Sequence, residues 1–470
     1  MSNVKKFLVT ITIAIVLYYI LALTWENEPP RTAYNFETPN LASSQGPTVV
    51  LPFQSPLQDW TQPYKDPRIL YINTHPGTQA NFAHILARLG LRFASYDPSA
   101  FGFAMSQQKA QELIDSGLAR KLCDSADVVV ISDTCAHGRF ILQTLSDPNP
   151  NNHCSSKIVL ELTNRFDWGY NDPQEREEFR AFMWGIATQH SDKVFFTSNN
   201  PLESRHFSDF TIATPPFRLL RPIGASNVPA TFVNEHDSKL AIIRTKEGSP
   251  ILTYLDRMGV KYKHVVQGAH APYGGPRTAA RHRAFIEFPY QASTMKLYEN
   301  AAAGVVMLVP SPKFYFELQK AGFFSTPNIQ TSLLYQGKAW EKYHDYYSKD
   351  MKPYLHYFDS FEELADMLKN PVDAHIKQTV GSDFSHIVNQ TICGWADVFI
   401  EMGYHQMMLD RLPYSYGQGP KPDKVKLRQG VQEVLRLEDW KESYEKSKEL
   451  MEAAERVEWE EIEVRVKLPA

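Results

Sequence analysis

The stretch that decides the reading is Phe288-Pro289-Tyr290-Gln291-Ala292-Ser293-Thr294-Met295-Lys296-Leu297-Tyr298-Glu299-Asn300-Ala301-Ala302-Ala303-Gly304-Val305-Val306-Met307-Leu308-Val309-Pro310. A strand ends at Pro289, and Ser293 or Thr294 is placed to cap a helix from about Thr294 to Ala303. The first turn of a helix has N–H groups without intrahelical partners, and with the helix dipole these attract a phosphate. Glu299 follows five or six residues on, suited to a more distal group such as a ribose. Three alanines let the helix lie close to a sheet. Gly304 suits the left-handed conformation that ends it, and a buried strand, Val305–Val309, comes next.

The same alternation of strand and helix runs outward in both directions. Strands are expected at Arg68–Asn73, Leu91–Tyr96, Asp127–Ile131, Lys157–Leu162 and Lys193–Ser198, with helix-length sequence between them. Residues 78–90 read as a helix with Phe82, Ile85, Leu86 and Leu89 on one face. Unbroken apolar runs such as Val128-Val129-Val130-Ile131 indicate a parallel sheet covered on both faces. Residues 208–237, with Pro215, Pro216, Pro222, Gly224 and Pro229, read as a linker. The alternation then restarts with strands at Lys239–Arg244, Lys263–Val266 and Ala284–Phe288, and a helix at Ser249–Gly259. Ser360-Phe361-Glu362-Glu363 has capping-box spacing for a further helix.

The stretch from about 284 to 310 resembles the donor-binding motif of GT-B glycosyltransferases, especially their retaining group, in which a Pro-containing loop leads to a helical Glu, small residues, a Gly and a buried strand. The resemblance implies an α/β fold of two Rossmann-like domains facing a cleft, at 67–225 for the acceptor and 236–410 for the nucleotide sugar. It implies a hexosyl- or related glycosyltransferase moving sugar from a nucleotide-sugar donor to a glycan, protein or lipid. In that family the Glu binds the ribose, a role that falls to Glu299, and the loop amides contact the pyrophosphate, a role that falls to Ser293, Thr294 and Met295. Many retaining members carry a second Glu eight residues before the helical one. Here that position is Gln291, which hydrogen-bonds sugar hydroxyls but supplies no charge. Arg244 and Lys246, just past the second domain's first strand, match basic residues that neutralise donor phosphates. His137 matches a cleft-facing catalytic His. His75 and Gly77 of His75-Pro76-Gly77-Thr78, with Asn164, Arg165 and Asp167 at the end of another strand, are candidates on the acceptor side. No Asp-x-Asp occurs, so a site without metal is expected, with no cofactor beyond the substrate and with helix amides and basic side chains neutralising charge.

Composition frames this reading. The 470 residues are enough for two or three domains, 43% hydrophobic and 22% charged residues are a globular balance, and a net charge of −4 excludes a broad basic surface for nucleic acid. Phe7–Trp25 carries no charge, and at ~1.5 Å per residue it spans roughly 28 Å, one hydrocarbon core. Lys5 and Lys6 precede it and Glu26 and Glu28 follow, which gives a type II anchor over residues 1–25 with the remainder lumenal. A cleaved signal peptide is the other reading, although its apolar region runs ~7–15 residues and no small-x-small site follows here. A span this short suits the endoplasmic reticulum or Golgi. Residues 26–66 are proline-rich and read as a stem, and 411–470 as a charged helical tail on the catalytic body. Cys123, Cys135, Cys154 and Cys393 allow one or two disulfides of unreadable connectivity, and Asn389-Gln390-Thr391 is a glycosylation sequon. A sulfotransferase, from the strand–His-Pro-Gly-Thr–helix pattern, and a non-catalytic glycan-binding or scaffold protein are the rival readings.

Overall fold

The computed structural model describes residues 66–266, 273–323, 340–369, 384–404 and 407–408. The anchor, the stem up to residue 65 and the tail lie outside them. Among the described residues no helix is long and apolar enough to cross a membrane.

Eleven described strands form two parallel sheets. The first orders β2 (Ala94–Tyr96), β1 (Ile69–Ile72), β3 (Val128–Asp133), β4 (Lys157–Leu162), β5 (Val194–Ser198) and β6 (Arg218–Leu219). Every β1 and β3 residue is buried, as the apolar runs require of a sheet covered on both faces. The second sheet orders β11 (Leu355–Phe358), β10 (Met307–Pro310), β9 (Phe285–Ile286), β7 (Ala241–Thr245) and β8 (Tyr262–Val266). In each sheet the winding reverses once, between β1 and β3 and between β7 and β9. Crevices beyond the strand C-termini at such reversals are where open α/β sheets hold ligands.

Two strands differ from the sequence reading. β6 lies inside the stretch expected to be linker, and the helix Pro201–Thr211 also runs into it. Its two residues, hydrogen-bonded to Thr197 and Ser198, are too few to show a period. β11 follows three short 3-10 turns that hide its start.

The expected helices form with the expected caps. Thr294, rather than Ser293, caps Met295–Ala302, its Oγ1 accepting from Leu297 N at 3.2 Å, and Gly304 ends it at φ 69°. Ser360 Oγ accepts from Glu363 N at 3.1 Å, while Glu363 reaches back one residue further than a capping box, to Asp359 N at 2.6 Å. The helix expected at 78–90 starts two residues earlier, at Pro76–Arg88, with His75 as a cap the sequence reading did not offer and with Phe82, Ile85 and Leu86 buried.

The chain crosses between the sheets more than once. After β6 it runs past Gly224 to β7. Gly224 has φ 71°, and a Cβ there would lie 2.5 Å from the Tyr298 carbonyl oxygen, so only glycine passes beside the Met295–Ala302 helix. The helix Ser385–Glu401 then returns to the first sheet. Trp395 packs edge-on against Phe82 at 5.1 Å, and Arg218 of β6 pairs with Asp397 at 3.3 Å and Glu401 at 2.5 Å. Thr391 of the sequon donates its hydroxyl to the Arg221 carbonyl at 2.7 Å, and Asn389 is exposed. Cys123 and Cys154 are disulfide-bonded, which settles the connectivity, while Cys135 and Cys393 are free thiols.

Candidate functional site

At the β7–β9 reversal the side chains are charged although the surroundings are buried. Glu287, just past β9, pairs with Lys296 at 2.6 Å. The Lys296 ammonium also lies over the rings of Phe285 and Tyr290, at 5.1 and 5.8 Å. Tyr346 donates to Glu287 at 3.3 Å and is 2.9 Å from Thr294 Oγ1, so the cap, the pair and the helix start form one network. Arg244, at the end of β7, is close enough to oppose the charge on Lys296. Burial pulls the Lys296 pKa below its ordinary value. A cation in the first turn of a helix opposes the helix dipole. Here Glu287 already balances Lys296, and Arg244 adds a second positive charge near the positive helix end, which a further anion would offset. Sequence reasoning missed Lys296, although a Lys in that turn beside a proposed phosphate site was a readable signal.

Glu299 lies one turn further along. Burial raises its pKa to about 7, with Lys296 drawing it back down. It adds negative potential at Tyr273, whose hydroxyl is pushed up chiefly by burial. Ser293 faces a separate pair: Tyr298 donates to Asp345, and Arg221 approaches the same carboxylate at 3.4 Å and Asp350 at 2.6 Å. Gln291 is half-buried on the loop before the cap. Lys246, two residues past Arg244, is solvent-exposed.

The other reversal holds the acceptor-side candidates. His75 Nδ1 accepts from Gly77 N at 3.1 Å and Thr78 N at 3.3 Å, so the neutral ring carries its proton on Nε2. Asn73, just past β1, accepts from His75 N at 2.7 Å and donates to Thr78 Oγ1 at 2.5 Å, fixing the turn. Asp133 ends β3 at φ 69°, a left-handed conformation that costs a non-glycine residue on the order of 1–3 kcal/mol. Burial raises its pKa, while His75, an Asn164 hydrogen bond and Arg165 lower it. Beneath it, Tyr71 donates to Glu161 at 2.9 Å, and burial raises Glu161 to about 7. Asp133 and Glu161 escaped sequence reasoning, though a carboxylate inside Lys157-Ile158-Val159-Leu160-Glu161-Leu162 departs from an apolar strand.

Two candidates take other places. His137 is fully buried: the turn Cys135–Gly138 folds flat onto β3, with Ile131 Cγ2 only 2.5 Å from where a Gly138 Cβ would stand. Burial lowers its pKa to about 4, so the ring is a neutral core group and not the cleft-facing His expected. Asp167 is held by His206 at 2.7 Å and Arg180 at 2.6 Å, which keep its carboxyl well below the usual range. Both its oxygens are engaged in bracing a loop.

The two reversals approach each other. A Cβ built on Gly77 would stand 3.5 Å from Met295 Cγ. The start of the Pro76–Arg88 helix therefore meets the start of the Met295–Ala302 helix.

No protein-family model matches the chain, and no curated protein matches it. Among solved structures it is similar to a putative UDP-N-acetylglucosamine 2-epimerase from Listeria monocytogenes (10% identity, TM-score 0.41, covering 74% of this chain and 98% of that one). It is also similar to the glycotransferase of kitacinnamycin (11%, 0.38, 73% and 99%) and to the glycosyltransferase SnogD from Streptomyces nogalater (11%, 0.35, 71% and 100%). Likenesses this remote carry no weight for function, which rests on the chain's own residues.

Proposed function

We propose that this chain is a glycosyltransferase that binds a nucleotide sugar at the β7–β9 reversal and an acceptor at the β1–β3 reversal. One observation carries the reading: the Met295–Ala302 helix start gathers Lys296 and Arg244, holds Glu299 one turn on, and faces Gly77 of the opposite body. An anionic diphosphate suits the amides and the two cations, and ribose hydroxyls suit Glu299. In transfer, the acceptor hydroxyl oxygen bonds to the anomeric carbon as the bond from that carbon to the phosphate oxygen breaks. The electron pair leaves with the nucleoside diphosphate, whose charge the helix end, Lys296 and Arg244 offset. Asp133 takes the hydroxyl proton, because His75 in its Nε2–H tautomer is a donor only. No divalent cation has a part in this scheme.

The carrying experiment is calorimetry with a panel of nucleotide sugars and with phosphoadenosine phosphosulfate. Binding of a nucleotide sugar is the expected result. Binding of the phosphosulfate alone would mark a sulfotransferase, and binding of neither a scaffold. We also place the chain as a type II protein of the endoplasmic reticulum or Golgi, anchored by residues 7–25. The Cys123–Cys154 disulfide supports a lumenal body, since such bonds persist in oxidising compartments. Protease added outside sealed microsomes should spare residues 60–470, and their complete digestion would overturn the topology.

A further inference from the structure

The sequence holds a single Asn-x-Ser/Thr, the acceptor pattern of N-linked glycosylation, at Asn389-Gln390-Thr391. All three residues lie in the Ser385–Glu401 helix. Successive helical residues turn by about 100°, so positions two apart stand about 200° apart, on opposite faces. Asn389 and Gln390 are exposed. Thr391 is only 3% exposed and shares the packed face with Ile387, Val388 and Trp395. Its hydroxyl donates to the Arg221 carbonyl at 2.7 Å, in the segment that carries the chain from one sheet to the other.

A pattern that fixes both an Asn and a hydroxyl residue is read through both side chains together. In an extended chain, residues two apart point to one side, and a single active site reaches both. In this helix no single site does, because the carboxamide faces water while the hydroxyl is covered and engaged. The folded body is therefore a poor acceptor, and the still extended chain a good one. A glycan attached early is nevertheless accommodated afterwards, since Asn389 stands on the face away from the packing. With the two residues exchanged, Asn inward, folding and modification would exclude each other.

We propose that Asn389 is an N-glycosylation site used before the Ser385–Glu401 helix forms. The mature protein carries the oligosaccharide on the outer face of that helix. Thr391 serves twice, first as the hydroxyl of the acceptor pattern and then as a hydrogen bond between elements. In the transfer, Asn389 Nδ2 bonds to the anomeric carbon of an oligosaccharide as the bond from that carbon to the diphosphate oxygen of its carrier lipid breaks. The electron pair leaves with the lipid diphosphate, and the nitrogen gives up one proton. The site rests on the lumenal placement proposed above and is independent of the glycosyltransferase reading. The competing account is that Thr391 stands there for the Arg221 carbonyl alone.

The full-length chain is expressed in cells with a secretory pathway, and sealed microsomes are divided between protease protection and peptide-N-glycosidase treatment. The expected result is a protected body that loses one step of apparent mass on glycosidase treatment. Asn389→Gln should lack that step and Thr391→Ser should keep it. A protected body with no step overturns the site. A digested body with no step overturns the lumenal placement, and the site falls with it. The order of events is read separately. Full-length chain made in bacteria, and so unglycosylated, is offered to detergent-solubilised oligosaccharyltransferase and its oligosaccharide–lipid donor, either folded or freshly diluted from urea. Modification of the diluted chain alone is expected, and equal modification of both overturns the order. Thr391→Val should lose the glycan and also unfold at a lower denaturant concentration than Asn389→Gln, because the Arg221 carbonyl loses its donor. Equal midpoints would remove the second role of Thr391.

Discussion

Two carboxylates, the buried Asp167 and the half-buried Glu299, make an instructive pair. Asp167 has His206 and Arg180 on its two oxygens, and its pKa is held well below the usual carboxylate range. Glu299 is half-buried with only the partial help of Lys296, and its pKa is pushed up to about 7. Both sit on loops or helices near strand ends, where ligands bind. The difference is whether the fold itself completes the charge. A completed carboxylate holds structure, whereas an incomplete one is a place for a ligand to complete.

The sharpest way to break the comparison is Asp167→Asn. Removing one partner of a buried ion network costs up to roughly 3–5 kcal/mol, because Arg180 and His206 lose the buried carboxylate they share, Arg180 keeping only Glu177 at 2.6 Å. Since the folded pKa is depressed, the stabilisation is whole above the ordinary carboxyl range and is lost as pH falls below it. Denaturant unfolding should show the full loss at pH 7 with nucleotide-sugar affinity unchanged in the folded protein. A loss under about 1 kcal/mol would mean the network is not structural.

Glu161 tests the opposite case. Its folded pKa of about 7 lies above an ordinary value of 4.5, so its contribution is present below that ordinary value and is lost as pH rises through 7. The ceiling on that loss is about 3 kcal/mol, at 1.36 kcal/mol per unit. Glu161→Gln should flatten the fall in stability between roughly pH 5 and 8. An unaltered profile would contradict the assignment.

Glu299→Gln should lower catalytic efficiency by roughly 10- to 150-fold, the worth of a charge-assisted hydrogen bond of ~1.5–3 kcal/mol, with no loss of stability. Wild-type donor affinity should rise as pH passes upward through 7, because the carboxylate must be ionised to accept from ribose. Unchanged donor affinity in the folded variant would make Glu299 a second Asp167. The smallest expected effect is none at all: chelator should leave turnover intact, with Lys296, Arg244 and the helix end meeting the phosphate charge. Activity abolished by chelator and restored by manganese would contradict that division of labour.

What the sequence revealed follows from how local each signal is. The strand runs, the Thr294 cap and the Gly304 stop lie within a few residues of what they control. Asp167 was misjudged because its partners stand 13 and 39 residues away and nothing nearby foretells them. His137 was misjudged because a loop histidine looks the same in sequence whether its turn stands away from the sheet or lies flat on it. Lys296 was readable as a cation in a helix's first turn, but its pairing with Glu287, nine residues earlier, depends on how the loop after β9 turns into that helix. Asp133 reveals itself through a backbone angle, which no composition contains.

The return of the Ser385–Glu401 helix to the first sheet has a mechanical consequence. Two bodies joined by a single strand of polypeptide swivel freely about it. Here the passage by Gly224 and the return helix, pinned through Trp395, Arg218 and Thr391, act as a pair of door hinges set side by side. Two connections side by side restrain twist more than one would, and Gly77 and Met295 face each other across a seam that both connections hold.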